Sequence, residues 1–331
     1  MERTKELEWQ IEEFMICCKS KDLRCKTMKS YEQTLRLFER WCRETLNVYN
    51  IDDISENVIR RYISDLQERG KYTYCADDTS KGYNAPERRR DFRQPISATT
   101  INNYLRNIRV FFAWLVEEDV LKTNPMRKVK ALKQQRTAKE YMSDEDFHKL
   151  VNGLDKSYFS EHRDYAMTML MLDTGMRLGE CCLLVSEEVD LTRKRIYLKA
   201  EKTKGRKDRV VYFSDKTESV LRRWITFKDR YMDSEYIFPS RTTKGNVTVT
   251  SFETNFQRYL ARFGIEKKLS PHCLRNNFAK RCLMNGMDIY TLSRLLGHSS
   301  VTVTEQAYLD LNEDDIAHRY RSYSPIGNME K

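Results

Sequence analysis

An amphipathic segment that begins near residue 98 carries the strongest hydrophobic period in this chain. Its apolar residues recur at three- and four-residue spacing, and they are Ile101, Tyr104, Leu105, Ile108, Phe111, Phe112 and Leu115. This spacing is that of an α-helix with one apolar face. Because such a face must be buried, the segment predicts a helix that packs against other elements in a core.

Two earlier segments have the same period. The first covers about residues 26–44, and the second follows Ser55, a suitable N-terminal cap, and ends at Gly70, a typical C-terminal stop. Their apolar positions are Tyr31, Leu35, Phe38 and Cys42 in the first, and Val58, Ile59, Tyr62, Ile63 and Leu66 in the second. The helices together predict a small helical bundle within residues 1–121.

Residues 71–96 separate the second and third predicted helices and have no hydrophobic period. They contain glycine and proline and carry the basic run Arg88, Arg89 and Arg90. Such a length is unusual for a simple connection. The segment is either a mobile, solvated insertion or an additional contact with a DNA backbone or a second subunit. On the latter interpretation the three arginines are candidate DNA-backbone contacts.

Residues 122–140 form a basic segment in which the hydrophobic period fades. Its basic residues are Lys122, Arg127, Lys128, Lys130, Lys133, Arg136 and Lys139. We interpret the segment as an interdomain linker whose charge either only keeps it solvated or lets it lie along a phosphate backbone. On the second interpretation Lys128, Lys130, Lys133 and Arg136 contact DNA.

Residues 141–331 predict a second domain of mixed structure. Ser143 and Asp146 have the spacing of a capping box at the start of a helix. Residues 195–200 and 209–213 are rich in β-forming side chains and flank a basic turn, which predicts a β-hairpin. Helical patterns dominate the remainder, so the expected fold is mainly α with a small β-sheet.

The composition limits the class of protein. The chain has 331 residues, 40% of them hydrophobic, and a formal net charge of +10, which fit two globular domains and a polyanionic partner. The nine cysteines include no Cys-x-x-Cys pair, and no Walker-type glycine loop or two-metal acidic cluster occurs, so no cofactor or metal is expected. No apolar run reaches the length of a membrane span, and the charged N-terminus is unlike a signal peptide, which predicts a cytoplasmic protein.

Two short basic motifs carry candidate chemistry. The sequence Thr-Gly-Met-Arg-Leu-Gly-Glu, in which a glycine ends a helix, places Arg177 in a turn before the next helix. The sequence Ser-Pro-His-Cys-Leu-Arg, in which Ser270 caps a helix, places His272 and Arg275 on one helical face. Taken alone, each motif is better explained by a helix start that exposes basic side chains than by a binding site.

A third motif pairs a histidine with a helix end. In Leu-Leu-Gly-His-Ser-Ser, Gly297 ends an amphipathic helix and His298 follows it directly. Tyr308 comes ten residues later and is one of 19 tyrosines. Taken singly, this histidine is compatible with a hydrogen bond to the last carbonyls of the helix.

Taken together and in this order, the motifs, the basic hairpin and the tyrosine resemble the catalytic domain of the tyrosine site-specific recombinases, the phage and transposon integrase family. The resemblance covers about residues 143–326. The first part is similar to the family's helical, SAM-like core-binding domain, of the simple type without a separate arm-binding domain. The resemblance therefore implies a core-binding domain at 1–121, a linker at 122–140 and a catalytic domain at 141–331 with an exchange tail at 309–331.

The resemblance also implies the residues that surround a scissile DNA phosphate: Arg177, Lys204, His272, Arg275, His298 and the nucleophile Tyr308. Two arginines can hold the non-bridging oxygens of a phosphodiester as its negative charge grows. His272 is the candidate base for the tyrosine, Lys204 protonates the leaving 5′-oxygen, and His298 donates a hydrogen bond to the phosphate.

The implied reaction is strand cleavage and rejoining through a 3′-phosphotyrosyl intermediate and a Holliday junction. The expected partners are double-stranded DNA core sites bound by a homotetramer, with or without an accessory directionality protein. We favour integration and excision of a mobile genetic element, because the Arg-rich insertion departs from a compact housekeeping pattern. The alternative task is Xer-like resolution of chromosome or plasmid dimers. Alternatives from other classes are a type IB topoisomerase, a catalytically silent DNA-binding regulator and an RNA-binding module.

Overall fold

The computed structural model describes residues 4–76, 85–134, 140–203, 207–243, 245–298 and 300–308, together with the single residues 79, 82, 317, 320, 324 and 326. Of the predicted site residues, Lys204 and Arg136 lie outside the described residues, as does most of the predicted exchange tail. The chain divides into two compact units, Met1–Arg136 and Thr137–Lys331. Each unit has its own hydrophobic core.

The first unit is a helical bundle. Its main helices are α1 (Leu7–Ser20), α2 (Cys25–Leu46), α3 (Glu56–Glu68) and α4 (Ala98–Glu117). Aromatic rings fill its centre, with the Phe38 and Tyr62 rings 5.0 Å apart and the Phe14 and Phe111 rings 5.5 Å apart. The predictions of α2, α3 and α4 are confirmed, since the apolar faces that defined them are buried in this core.

The prediction that helix α3 ends near Gly70 is confirmed, but Gly70 is not a left-handed cap. Helix α3 ends at Glu68, and its C-terminal flanking residue Arg69 is extended. Gly70 instead pairs with Pro95 in an isolated antiparallel bridge. A Cβ atom at Gly70 would lie 2.3 Å from the Cα of Arg93, so the glycine permits a close approach of two backbones.

That approach closes the base of the 71–96 insertion. The Lys71 N–H donates to the carbonyl of Gln94 at 2.8 Å. Beyond this stem, the Tyr74 hydroxyl donates to a carboxylate oxygen of Glu44 on α2 at 2.6 Å. Both ends of the insertion are therefore held against the bundle.

Residues 122–134, predicted as the first part of a linker, also lie against the first unit. Met126 and Val129 are buried in its core. The Asn102 amide on α4 donates to the carbonyl of Leu132 at 3.0 Å and its oxygen accepts the N–H of Leu132 at 2.8 Å. The basic side chains in this stretch alternate with these buried positions and are exposed.

The second unit surrounds its core with helices and one small sheet. The helices are α5 (Asp144–Gly153), α6 (Phe159–Thr174), α7 (Leu178–Cys182), α8 (Asp215–Tyr231), α9 (Val249–Arg262), α10 (His272–Met284), α11 (Ile289–Leu296) and α12 (Val301–Tyr308). Ser143 caps α5 by accepting the N–H of Asp146, as predicted. The mainly helical class with a small sheet is confirmed. Among the described residues, every helix is too short or too polar to span a bilayer.

The sheet is antiparallel, in the order β1 (Val189–Asp190), β2 (Arg195–Leu198) and β3 (Arg209–Tyr212). The register pairs Ile196 with Val211 and Leu198 with Arg209. The predicted hairpin is confirmed with slightly shorter strands. Strand β1 was not predicted, because two residues are too few to show an alternating pattern.

Candidate active site

Arg177 is held in the turn between α6 and α7. Helix α6 ends at Gly175, whose φ of 64° is left-handed, and a Cβ atom there would lie 2.3 Å from the Phe278 ring. Both conditions favour glycine. Two residues later Arg177 is the extended residue that precedes α7. The prediction that Arg177 lies in a turn before a helix is therefore confirmed.

Glu180 lies between two arginines. It accepts the backbone N–H of Arg177 at 2.8 Å and a guanidinium N–H of Arg177 at 3.0 Å. Arg209 binds both oxygens of the same carboxylate, at 2.9 and 2.5 Å. Burial alone would raise the pKa of the Glu180 carboxyl, but the hydrogen bonds and charges of Arg209 and Arg177 lower it below its usual range. Glu180 is thus a buried carboxylate anion.

Arg275 joins three segments of the second unit. Its side chain is buried, and its guanidinium donates to the carbonyl oxygens of Gly175 and Leu296, each at 2.7 Å. The same nitrogen that binds Leu296 lies 3.0 Å from Nε2 of His298. The cation is consequently fixed beside the turn that carries Arg177 and the turn that carries His298.

His298 is held as a neutral imidazole. An arginine has no acceptor, so Nε2 of His298 accepts from Arg275 and Nδ1 carries the proton, which it donates to the Thr304 hydroxyl at 2.7 Å. Burial, and then the charges of Arg275 and Arg177, lower the pKa of His298 to about 4. In this arrangement the ring offers its N–H to Thr304, so donation from Nε2 to a phosphate requires that Arg275 release Nε2 and that Nε2 gain a proton.

His272 is the first residue of α10 and is exposed. The prediction that the Ser270 side chain caps this helix is wrong, because the flanking position is Pro271 and no side chain caps it. Ser270 contributes its backbone carbonyl instead, which accepts the Cys273 N–H at 2.8 Å. His272 is among the charges that lower the pKa of His298, so the two rings share one electrostatic environment.

Tyr308 is the last residue of α12 and lies four residues after Thr304 in that helix. Residues at this spacing share a helical face. Thr304 is fully buried, and its hydrogen bond with His298 ties α12 to the arginine cluster. The side chain of Tyr308 lies outside the described atoms.

The lysines of the hairpin differ in their contacts. The ammonium of Lys202 donates to the Leu183 carbonyl at 2.9 Å and pairs with the buried Glu188 carboxylate at 2.8 Å. Lys207 is exposed. Lys202 is thus occupied by the body of the second unit, which leaves Lys207 and the undescribed Lys204 as candidates for the leaving-group acid.

Among the described predicted residues, Arg177, Arg275 and His298 form one cluster. Arg209 belongs to it and was not predicted. The sequence signal for Arg209 was a charged residue at a strand position whose side chain faces the core, paired with the apolar Leu198. The basic candidates of the first unit are exposed and lie in the insertion and the 122–134 stretch: Arg88, Arg89, Arg90, Lys128, Lys130 and Lys133.

Comparison with known proteins identifies the family of the chain. Residues 140–315 match the phage integrase family, and residues 7–131 match the phage integrase SAM-like domain. The chain belongs to the phage integrase family. It is a tyrosine recombinase, one of the enzymes that cut DNA strands and transfer them to new partners.

Its relatives extend over nearly the whole chain. A tyrosine recombinase XerC from Thermodesulfovibrio yellowstonii is 26% identical over 90% of this chain and 92% of that protein. A tyrosine recombinase XerD from Listeria innocua is 24% identical over 92% of this chain and 94% of that protein. Both comparisons cover the two units together.

Solved structures share the fold. The Tn1549 transposon integrase in complex with transposon right end DNA has a TM-score of 0.71 and 15% identity over 96% of this chain and 99% of that one. A lambda integrase dimer bound to a core site has a TM-score of 0.67 and 16% identity over 92% of this chain and 77% of that one. At these identities the likeness establishes the two-domain architecture.

Proposed function

We propose that this tyrosine recombinase performs site-specific recombination on double-stranded DNA, with Tyr308 as the nucleophile. The observation that carries the proposal is the cluster of Arg177, Arg275 and His298, to which the helix of Tyr308 is tied through Thr304. Arg177 reaches this cluster by donating to the Gly297 carbonyl at 3.3 Å, next to His298. Fixed cations beside a nucleophile suit attack on an anionic phosphodiester.

In the proposed reaction the Tyr308 oxygen bonds to the scissile phosphorus and the 5′-oxygen leaves. Negative charge grows on the non-bridging oxygens, and Arg177 and Arg275 stabilise it. The Arg275 guanidinium is oriented by two carbonyl oxygens, which can hold it in place when its contact with His298 is released.

Two proton transfers accompany this step. His272, exposed at the start of α10, takes the phenolic proton, and Lys204 protonates the leaving oxygen. The ion pair of Lys202 with Glu188 supports the choice of a different lysine for the second role. Because the phosphotyrosyl ester retains the free energy of the broken bond, resealing by the reverse reaction needs no nucleotide or metal.

For the biological task, the relatives favour Xer-like resolution of chromosome or plasmid dimers over the mobile-element role expected from the Arg-rich insertion. They are named XerC and XerD and match 90% and 92% of the chain. The transposon integrase is similar in fold at 15% identity and so carries less weight for function. The Arg-rich insertion was therefore a poor discriminator.

We further propose a homotetramer on two DNA core sites, with the tail after Tyr308 exchanged between protomers. The exposed arginines of the insertion and lysines of the 122–134 stretch would contact the DNA backbone. Truncation before Asn312 should leave binding to a single site intact and impair pairing of two sites. Unchanged recombination after that truncation would refute tail exchange.

Deletion of the gene in its host tests the biological task. Resolution predicts an accumulation of plasmid and chromosome multimers, which agarose gels and cell-division defects reveal. Mobile-element function predicts instead that circular forms of the DNA flanking the gene disappear while multimers stay at the wild-type level. A catalytically silent regulator predicts neither change and an unaltered phenotype for Tyr308→Phe.

A further inference from the structure

Arg209 is the one arginine of the described cluster that the predicted phosphate site does not use. Arg209 is the first residue of β3, its side chain faces the core, and that side chain is 9% exposed. Its two terminal nitrogens bind the two oxygens of Glu180, and its Nε donates to the Leu295 carbonyl at 3.3 Å. This geometry is bidentate, the arrangement in which an arginine binds a carboxylate most strongly.

The charges of this group determine how positive Arg177 is. Arg177 and Glu180 are in contact at 3.0 Å, and by themselves they would form a neutral pair. Such a pair would attract a DNA phosphate weakly, because the carboxylate repels it at short range. Arg209 supplies a second positive charge to the same carboxylate and brings the group of three to a net charge of +1.

The hydrogen bonds to Glu180 also show that Arg209 binds it more completely than Arg177 does. Arg209 gives Glu180 two guanidinium bonds, whereas Arg177 gives it one guanidinium bond and its backbone N–H. The other terminal nitrogen of Arg177 donates to the Gly297 carbonyl. The side chain of Arg177 is 24% exposed, compared with 9% for Arg209, so Arg177 is the more accessible cation to an incoming phosphate.

We propose that Arg209 is a positioning residue for DNA cleavage. Arg209 neutralises the charge of Glu180, so that the positive charge of Arg177 remains available to the scissile phosphate. The inference rests on the proposed role of Arg177 at that phosphate. Arg209 does not touch the DNA in this scheme and acts only through Glu180.

A purely structural role is the competing explanation. The Arg209 side chain packs under Gly297, where an added Cβ would lie 2.9 Å from its Cδ, and so it also supports the turn before His298. The two explanations make opposite predictions for removal of the Glu180 charge. If Arg209 only supports the fold, a second change at Glu180 adds damage. If it neutralises Glu180, the second change removes the need for it.

The test measures single-turnover cleavage of a nicked suicide duplex carrying the recombination site by Arg209→Gln, Glu180→Gln and the double variant. We expect Arg209→Gln to slow cleavage about 100-fold, the effect typical of a lost charge-stabilising contact. The double variant should recover to within about 10-fold of wild type. A double variant as slow as Arg209→Gln, or slower, would overturn the proposal.

A substrate with a neutral methylphosphonate at the scissile position gives a second readout. Its phosphorus carries no anionic oxygen, so the charge of Arg177 matters less and the defect of Arg209→Gln should shrink about 10-fold or more. A structural defect would persist on this substrate.

Arg209→Lys keeps the positive charge and loses the bidentate geometry, and it should cleave within about 10-fold of the wild-type rate. If Arg209→Gln does not fold, Arg209→Lys replaces it in the test. A cleavage rate about 100-fold below wild type in Arg209→Lys would then refute the proposal.

Arg195→Gln is the matched control, because Arg195 lies on the same sheet and pairs with Asp190 at 3.4 Å. It should cleave at the wild-type rate. Failure of wild type to form any adduct on a bound site would refute the proposed function itself. Wild-type cleavage together with an unimpaired Arg209→Gln would refute only the role of Arg209.

Discussion

Lowering the pH from 7 to 5 is expected to destabilise the second unit through His298. In the folded chain the ring accepts a hydrogen bond from Arg275 and is surrounded by further cations, and its pKa is about 4. In the unfolded chain the pKa returns to its ordinary value of 6.5. The unfolded state therefore binds more protons between these two values, and stability falls as the pH decreases through this window.

The two pKa values set the size of the effect. Each difference of one in pKa corresponds to about 1.4 kcal/mol, so a difference of 6.5 − 4 = 2.5 gives at most about 3.5 kcal/mol once the pH is well below 4. Between pH 7 and pH 5 the linkage relation gives a loss of about 2 kcal/mol. Above pH 7 the contribution of His298 is constant.

Urea unfolding of wild type and His298→Gln at pH 7 and pH 5 measures this contribution. The loss of unfolding free energy between the two pH values should be about 2 kcal/mol smaller in His298→Gln, while other titrating groups cancel in the comparison. His148→Gln is the control, since His148 is exposed on α5, and it should keep the wild-type pH dependence. Equal pH dependence in wild type and His298→Gln would refute a neutral His298 bound by Arg275.

Three further substitutions test particular contacts. Gly175→Ala should destabilise the protein to heat by about 2 kcal/mol or more, because the residue has a φ of 64° and its new methyl group would lie 2.3 Å from a phenylalanine ring. Thr304→Val should slow cleavage about 10-fold or more by removing the acceptor that orients His298, whereas Thr304→Ser should stay near wild type, as measured in suicide-substrate kinetics. Lys202→Met should lower the thermal stability by about 2 kcal/mol, because it leaves Glu188 buried without its cation, and residual cleavage at permissive temperature should match wild type.

The helices with one apolar face could be predicted from the sequence, and others could not. Helix α4 shows its buried positions as a clean stripe. Helix α6 is buried almost all round and therefore has no stripe, although its end at Gly175 was predicted. Helix α1 was missed because the exposed Trp9 and Ile16 blur the period of its buried residues.

In the candidate site, the residues were predicted from local motifs and their contacts were not. The motifs identify Arg177, Arg275 and His298 as basic residues in turns and helix starts. The proton position on His298 depends on Arg275 and Thr304, which lie 23 residues before it and six after it. The part played by Arg209 depends on a contact with Glu180 across 29 residues. Such long-range pairs leave no local pattern.

Attack of Tyr308 on a DNA phosphate would leave the protein covalently bound to DNA. Purified protein should be incubated with a nicked suicide duplex that carries its recombination site, and the products should be separated on a denaturing gel and mapped by peptide mass spectrometry. We expect a covalent protein–DNA adduct at Tyr308, and DNA binding without an adduct in Tyr308→Phe. Adduct formation by Tyr308→Phe, or the absence of an adduct with wild type on a site that it demonstrably binds, would show that Tyr308 is not the nucleophile.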